Sequence, residues 1–208
     1  MRRFGFALAL ALVLALPSIA QAADGKGFFV RGGLGYGFMQ SSQSSSAIGA
    51  DSAGGGNSRS GSGFSLELAL GYSLDSLNDL LLTGRAWTGS SNGIGVDFGE
   101  HSGGSMGLFL AGVAGQHYFG RRVGAGHVAV GAGLALYGDP GSGHGNPKGP
   151  GVLFSGGLDF SQHTSVELST SWARTTGQRV IYYPDRAVTS DYRVNALGAS
   201  ILLVAHSP

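Results

Sequence analysis

The chain reads as an all-β protein, an eight-stranded antiparallel up-and-down transmembrane β-barrel. Three observations point there. From Phe64 to Leu74 every even position is apolar, and every odd position is small or polar. That is period two without an error, the mark of a strand with one greasy face. The polar face carries Glu67, a carboxylate that a dry core would not tolerate unpaired. A strand with its polar face inward and its apolar face outward suits a barrel whose solvent is lipid. Second, 39 of the 208 residues are glycine, too many for helices, where each costs about 1 kcal/mol relative to alanine. Third, the pattern recurs along the chain behind an export signal.

That signal is residues 1–22. Arg2 and Arg3 supply the positive end, Phe4–Leu16 an apolar run of 13 residues, and Ala20-Gln21-Ala22 the small-x-small cleavage pattern. The run is shorter than the roughly 17–25 residues that a spanning helix needs. The domain organisation is therefore a signal peptide, 1–22, followed by one barrel domain, 23–208. A membrane barrel travels unfolded, so general secretion suits it and twin-arginine export does not.

The strands follow in order. The first covers Phe28–Met39, with Phe28, Val30, Leu34, Tyr36 and Phe38 on one face and Arg31 among glycines on the other. The second is Gly63–Asp75. The third is Leu80–Ser90, where the consecutive Leu80, Leu81 and Leu82 leave the phase open. The fourth is Met106–Phe119. The fifth, His127–Tyr137, alternates cleanly, as do the sixth, Val152–Gln162, and the seventh, Ser165–Thr175. In the eighth, Asp191–Ala205, Tyr192, Val194 and Ala196 suggest one outward face, and Ile201 and Leu203 the other. That conflict asks for a bulge near Gly198 or a different register. Aromatic residues near strand ends (Phe28, Phe64, Tyr72, Tyr118, Phe160, Trp172, Tyr192) suit interfacial girdles.

Connections alternate in length. Ser76–Asp79, Gly120–Gly126 and His163–Thr164 are short; Ser41–Ser62, Ser91–Ser105, Asp139–Gly151 and Thr176–Ser190 are long. In membrane barrels of bacteria the short turns are periplasmic and the long loops face outside. Ser41–Ser62 has no aromatic residue and too little apolar surface to order itself, so it reads as a flexible loop. Its Gly54-Gly55-Gly56-Asn57-Ser58-Arg59 run lacks the Gly-Lys-Ser/Thr ending of a phosphate loop.

This layout resembles the eight-stranded outer-membrane barrels of Gram-negative bacteria, the OmpA, OmpX and OmpW type. Asn195, Gly198, Ile201 and Leu203 approximate the terminal assembly signal of such proteins, although the chain ends His206-Ser207-Pro208 rather than on phenylalanine. The resemblance implies residence in the outer membrane and insertion by the barrel-assembly machinery. It also implies contact with outer-membrane lipid and lipopolysaccharide. Arg174, two residues beyond Trp172, would lie near a lipopolysaccharide phosphate.

Composition restricts the chemistry. Without the signal peptide, 11 Lys and Arg stand against 12 Asp and Glu, which argues against nucleic acid as a partner. There is no cysteine, hence no thiolate and no disulfide. The six histidines show no metal spacing, so neither a metal nor a cofactor is expected. His117 and His127 flank one short turn and could both point inward.

Inward-facing charges are Arg31, Glu67, Arg85, Asp159, Glu167 and Arg193, three of each sign. A narrow barrel holds such charges cheaply only as pairs. They read as a salt-bridge network closing the lumen, with Arg85, Phe109 and Tyr137 lying across it. A polar track for a small solute is the other reading. Tyr182, Tyr183 and Arg186 form a candidate contact for an extracellular ligand, because tyrosine and arginine are favoured at interfaces. The expected role is thus a structural or surface-interaction barrel with a plugged lumen. The alternative is a narrow channel for small or hydrophobic solutes, as the OmpW resemblance implies. An enzyme is not expected. His163-Thr164-Ser165 invites comparison with lipid A deacylase barrels, but it falls in a periplasmic turn and lacks a third group.

Overall fold

A computed structural model describes residues 27–47, 56–90, 105–120, 123–138, 146–182 and 187–207. The segment expected to be a signal peptide, 1–22, lies outside them. Eight strands follow in chain order: β1 (Gly27–Ala47), β2 (Gly56–Ser73), β3 (Asn78–Ser90), β4 (Ser105–Tyr118), β5 (Gly126–Gly138), β6 (Lys148–Asp159), β7 (Thr164–Tyr182) and β8 (Ala187–His206). Each pairs antiparallel with the next, and β8 pairs with β1 to close the barrel.

The stagger of that closure can be walked through the register. Arg31 sits opposite Ala69, Ala69 opposite Thr83, then Gly112, Gly133, Gly151, Ala173 and Ala196. Ala196 returns to β1 at Ser41, ten residues beyond the start. With eight strands, that shear tilts each strand about 40° from the barrel axis. The interior is wide enough for side chains and little else.

Alternation sorts the two faces. Phe28, Leu70, Leu82, Val130, Leu134, Leu158, Leu168 and Ile201 are among the large apolar residues exposed on the outer wall. Aromatic residues pair edge to face across β1 and β2 at two heights, Phe28 with Tyr72 at 5.0 Å and Tyr36 with Phe64 at 5.7 Å. Leu80 and Leu82 face out and Leu81 in, which settles β3. On β8, Leu197, Ile201 and Leu203 face out, while Tyr192, Val194, Ala196, Leu202 and Val204 are buried. Both ladders of β8 run without a break, so there is no bulge near Gly198. The expected outward face of Tyr192, Val194 and Ala196 is corrected: these residues are apolar because they fill the lumen. Tyr118 and Tyr192 are likewise interior, not girdle, residues, and Phe109 faces outward instead of crossing the lumen.

Two expected loops are in part strand. Ser41–Ser44 pair with Arg59–Gly56 on one side and with Ala196–Arg193 on the other. Thr176–Tyr182 pair with Arg193–Ala187. Ser41–Ser44 carries no apolar side chain because it needs none: backbone ladders on both sides hold it. The result is uneven, with β1, β2, β7 and β8 at 18–21 residues and β3 to β6 at 12–14. Spanning takes only about 9–11.

The short turns are tightly built. In 74–77, the Asp75 Oδ1 accepts from the backbone N–H groups of Leu77 (2.7 Å) and Asn78 (2.9 Å) and from the Asn78 amide (2.9 Å). The Asn78 side chain, followed by the Leu77 N–H, holds the Asp75 carboxyl below its ordinary pKa. Gly124 turns the β4–β5 connection at φ 76°, a left-handed conformation that favours glycine.

Candidate functional site in the lumen

Side chains from seven strands meet in a polar layer in the half of the lumen nearer the short turns. Arg31 on β1 is the hub. Its Nε donates to Glu67 Oε1 (2.8 Å), its Nη1 to Gln116 Oε1 (2.7 Å) and its Nη2 to Glu167 Oε2 (2.5 Å). The other Glu67 oxygen accepts from Arg85 Nη2. The other Glu167 oxygen lies 2.9 Å from His127 Nε2, and His127 Nδ1 lies 3.1 Å from Asp159 Oδ1. The charges thus form one line of alternating sign: Arg85, Glu67, Arg31, Glu167, His127, Asp159. All of them are buried, as is Gln116. A protonated His127 would hydrogen-bond Glu167 through Nε2 and stand within ionic range of Asp159 at Nδ1. In that state three cations balance three anions, the condition under which charges persist in a dry interior.

Glycine makes the space for this. A Cβ on Gly157 would come within 2.6 Å of Glu167 Cγ and 2.9 Å of His127 Cε1. The Tyr118 ring packs against His127 with centroids 5.3 Å apart.

Apolar side chains close the layer on both sides. Toward the short turns sit Phe29, Leu81 and Ala114. The Phe29 ring lies over Gly71, where a Cβ would be 2.1 Å from its tip. Toward the long loops a larger cluster includes Met39, Trp87, Met106, Leu108, Tyr137, Tyr192 and Val194. Leu110 leans over Gly151 between the two, and Ser41 Oγ and the Tyr137 hydroxyl lie 3.0 Å apart at the upper edge.

Of the six charged residues expected inside, five lie in this line. Arg193 does not: it is exposed on the outer face of β8, one register step from the buried Tyr192 and Val194. The assignment failed because it followed the misread phase of that strand. His127 and Gln116 belong to the layer although the charge inventory omitted them. His127 shares the odd-numbered, inward parity of Ala129 and Tyr137, which was the available signal. His117 points outward, with Nδ1 2.9 Å from Asn78 Oδ1, so the two histidines form no pair. His163 is exposed in its turn while Ser165 is buried in the lumen, which keeps them apart. Tyr182 ends β7 opposite Ala187; Tyr183 and Arg186 lie outside the described residues.

No protein-family model matches the chain, and neither does any curated protein. Solved structures do match. The outer-membrane protein OprG from Pseudomonas aeruginosa is 13% identical with a TM-score of 0.55, over 88% of this chain and 97% of that one. The outer-membrane protein AlkL, solved in lipid bilayers, is 12% identical with a TM-score of 0.51, over 90% and 93%. Neisserial surface protein A is 14% identical with a TM-score of 0.40, over 84% and 98%. The fold is that of the small outer-membrane β-barrels. An apolar belt around a closed barrel belongs in lipid, so the strands are transmembrane strands in the fold of the bacterial outer-membrane barrels.

Proposed function

We propose that this outer-membrane barrel is a closed scaffold for surface interaction, its lumen plugged and its outer end carrying the contact surfaces. The observation behind this reading is the alternating line of buried charges between two apolar layers. A solute crossing the lumen would have to part ion pairs in a dry setting, and each lost partner there costs about 3–5 kcal/mol. The uneven height of the wall supports the second half of the reading. β7, β8, β1 and β2 carry on well past the length that lipid requires, which lifts their ends into the outside medium. Purified barrel in a planar bilayer should show no steady conductance. A large, stable conductance in the unmodified protein would overturn the proposal.

One observation favours a narrow passage instead. Arg85 Nε and Nη1 are buried and without a hydrogen-bonding partner among the described residues. A small polar solute moving through the lumen could meet them. The same recording decides between the readings, and Glu67→Ala, which frees Arg85 further, should raise conductance only if the passage exists.

A further inference from the structure

Among the described residues, the outer wall carries three Lys or Arg side chains, and all three stand together. Lys148 on β6 is directly opposite Thr176 on β7, and Thr176 is directly opposite Arg193 on β8. Arg174 lies two residues before Thr176 on the same face of β7. All four side chains are exposed. With strands about 4.8 Å apart, Lys148 and Arg193 flank Thr176 at a Cα separation of about 10 Å. Arg174 sits about 7 Å along the strand from Thr176. These are distances that long side chains bridge, so the three cations and the Thr176 hydroxyl can meet on one anionic group.

The patch begins where the apolar belt ends. Trp172, two residues before Arg174, is exposed on the same face, and its partner Leu197 is exposed beside it. At the strand tilt given above, Arg174 stands about 5 Å beyond Trp172 along the barrel axis, and Thr176 about 10 Å. That is the depth of lipid headgroups, not of acyl chains. A cleft of about 580 Å³ adjoins the patch, with Ser44, Thr176, Gln178, Asp191 and Arg193 on its wall. Asp191, an exposed carboxylate on that wall, accepts from Gln178 Nε2 at 3.1 Å. Beyond the belt on β1 and β2 the outward residues Gln40, Ser42, Ser58 and Ser60 are neutral. Among the described residues the charge is therefore local to the β6–β8 wall.

We infer that Lys148, Arg174, Thr176 and Arg193 form a binding site on the outer wall for the phosphate-bearing headgroup of an outer-leaflet lipid, seated with its acyl chains against the Trp172–Leu197 side of the belt. Guanidinium and ammonium groups suit phosphate oxygens, and the apolar surface directly below suits the chains of the same molecule. A free anion would use the first feature and leave the second idle.

The test uses the full mature barrel in detergent micelles, with diphosphoryl lipid A as the probe and native mass spectrometry counting the bound lipid. Each cation near an anionic headgroup contributes about fivefold in affinity. The K148Q/R174Q/R193Q variant should therefore bind about a hundredfold more weakly than the unmodified barrel. Dephosphorylated lipid A should bind the unmodified barrel equally weakly, and salt should weaken the diphosphoryl form. Heat-modifiable migration on gels verifies that the variant is folded. If it is not, R193Q alone should lose about fivefold while R193K keeps most of the binding. Undiminished binding by the folded variants, or by the dephosphorylated lipid, would overturn the site. Inorganic pyrophosphate displacing the lipid at equal concentration would overturn the lipid assignment and leave a site for soluble anions.

Discussion

Between the short turns and mid-barrel, the lumen is held by Arg85, Glu67, Arg31, Glu167, His127 and Asp159, joined in sequence by ionic contacts. Toward the long loops it is held by Met39, Trp87, Met106, Leu108, Tyr137 and Val194, a cluster without a charge. Both halves are buried, but they fail differently. An apolar contact is short-ranged and replaceable, and its loss costs transfer energy and a cavity. A link in the charged line serves two neighbours, so its loss leaves partners buried and unmatched. The charged half should behave as one unit and the apolar half as a sum of parts.

Glu67→Ala should have the largest effect, because Glu67 is the carboxylate that serves both Arg31 and Arg85. We expect a loss of about 3–5 kcal/mol in urea unfolding from lipid vesicles. Adding Arg85→Ala should recover part of it. Strict additivity of the two changes would mean that the charged half is no unit at all. Leu108→Ala, in the apolar half, should cost about 3 kcal/mol. Combined with Glu67→Ala it should add without coupling, and a coupling above roughly 0.5 kcal/mol would erase the distinction between the halves.

Gln116→Leu comes next. It removes a neutral acceptor from Arg31 but leaves both carboxylates in place, so about 1.5–3 kcal/mol is expected by the same measurement. The smallest effect belongs to Asp75, a carboxylate in water rather than in the lumen. Its folded pKa is lowered, so its contribution to the turn is present above the ordinary carboxylate pKa and lost as pH falls through the folded value. Measured against the intrinsic exchange rate, the protection of the Leu77 and Asn78 amides should fall in acid, and Asp75→Ala should lose that protection at every pH while leaving the barrel closed.

The same contrast between halves decides how much could be read from the sequence. On β2, Phe64 to Leu74 alternate against serine, glycine, alanine and Glu67, and both the strand and the lumen place of Glu67 were legible. Glu167 and Asp159 were legible for the same reason, flanked by lipid-facing Val166, Leu168, Leu158 and Phe160, and Arg31 followed from the alternation of Phe28, Leu34, Tyr36 and Phe38. Near the long loops both faces are apolar. Phe109 outside and Leu108 and Leu110 inside give no alternation to read. Tyr192, Val194 and Ala196 look lipid-facing because the lumen there is itself apolar, and Arg193 was carried to the wrong face with them. The serine-rich ends of β1 and β2 were missed for another reason. Their order comes from backbone pairing, which any residue but proline can supply. Which carboxylate meets which arginine depends on register, and register is not a property of any one strand.

The hub arginine also bears on how the chain reaches this state. Arg31 is among the first strand residues to be made, yet Glu167, one of its acceptors, lies 136 positions further on. Gln116 is 85 away and Glu67 is 36. A partly assembled sheet would hold the guanidinium with only some of its acceptors, beside lipid that offers none. Contacts at such separations arrive late and together, since the chain between them must be ordered first. Completion of the ion line then waits until β7 has been brought round to β1. An unfinished barrel has little to gain from stopping halfway.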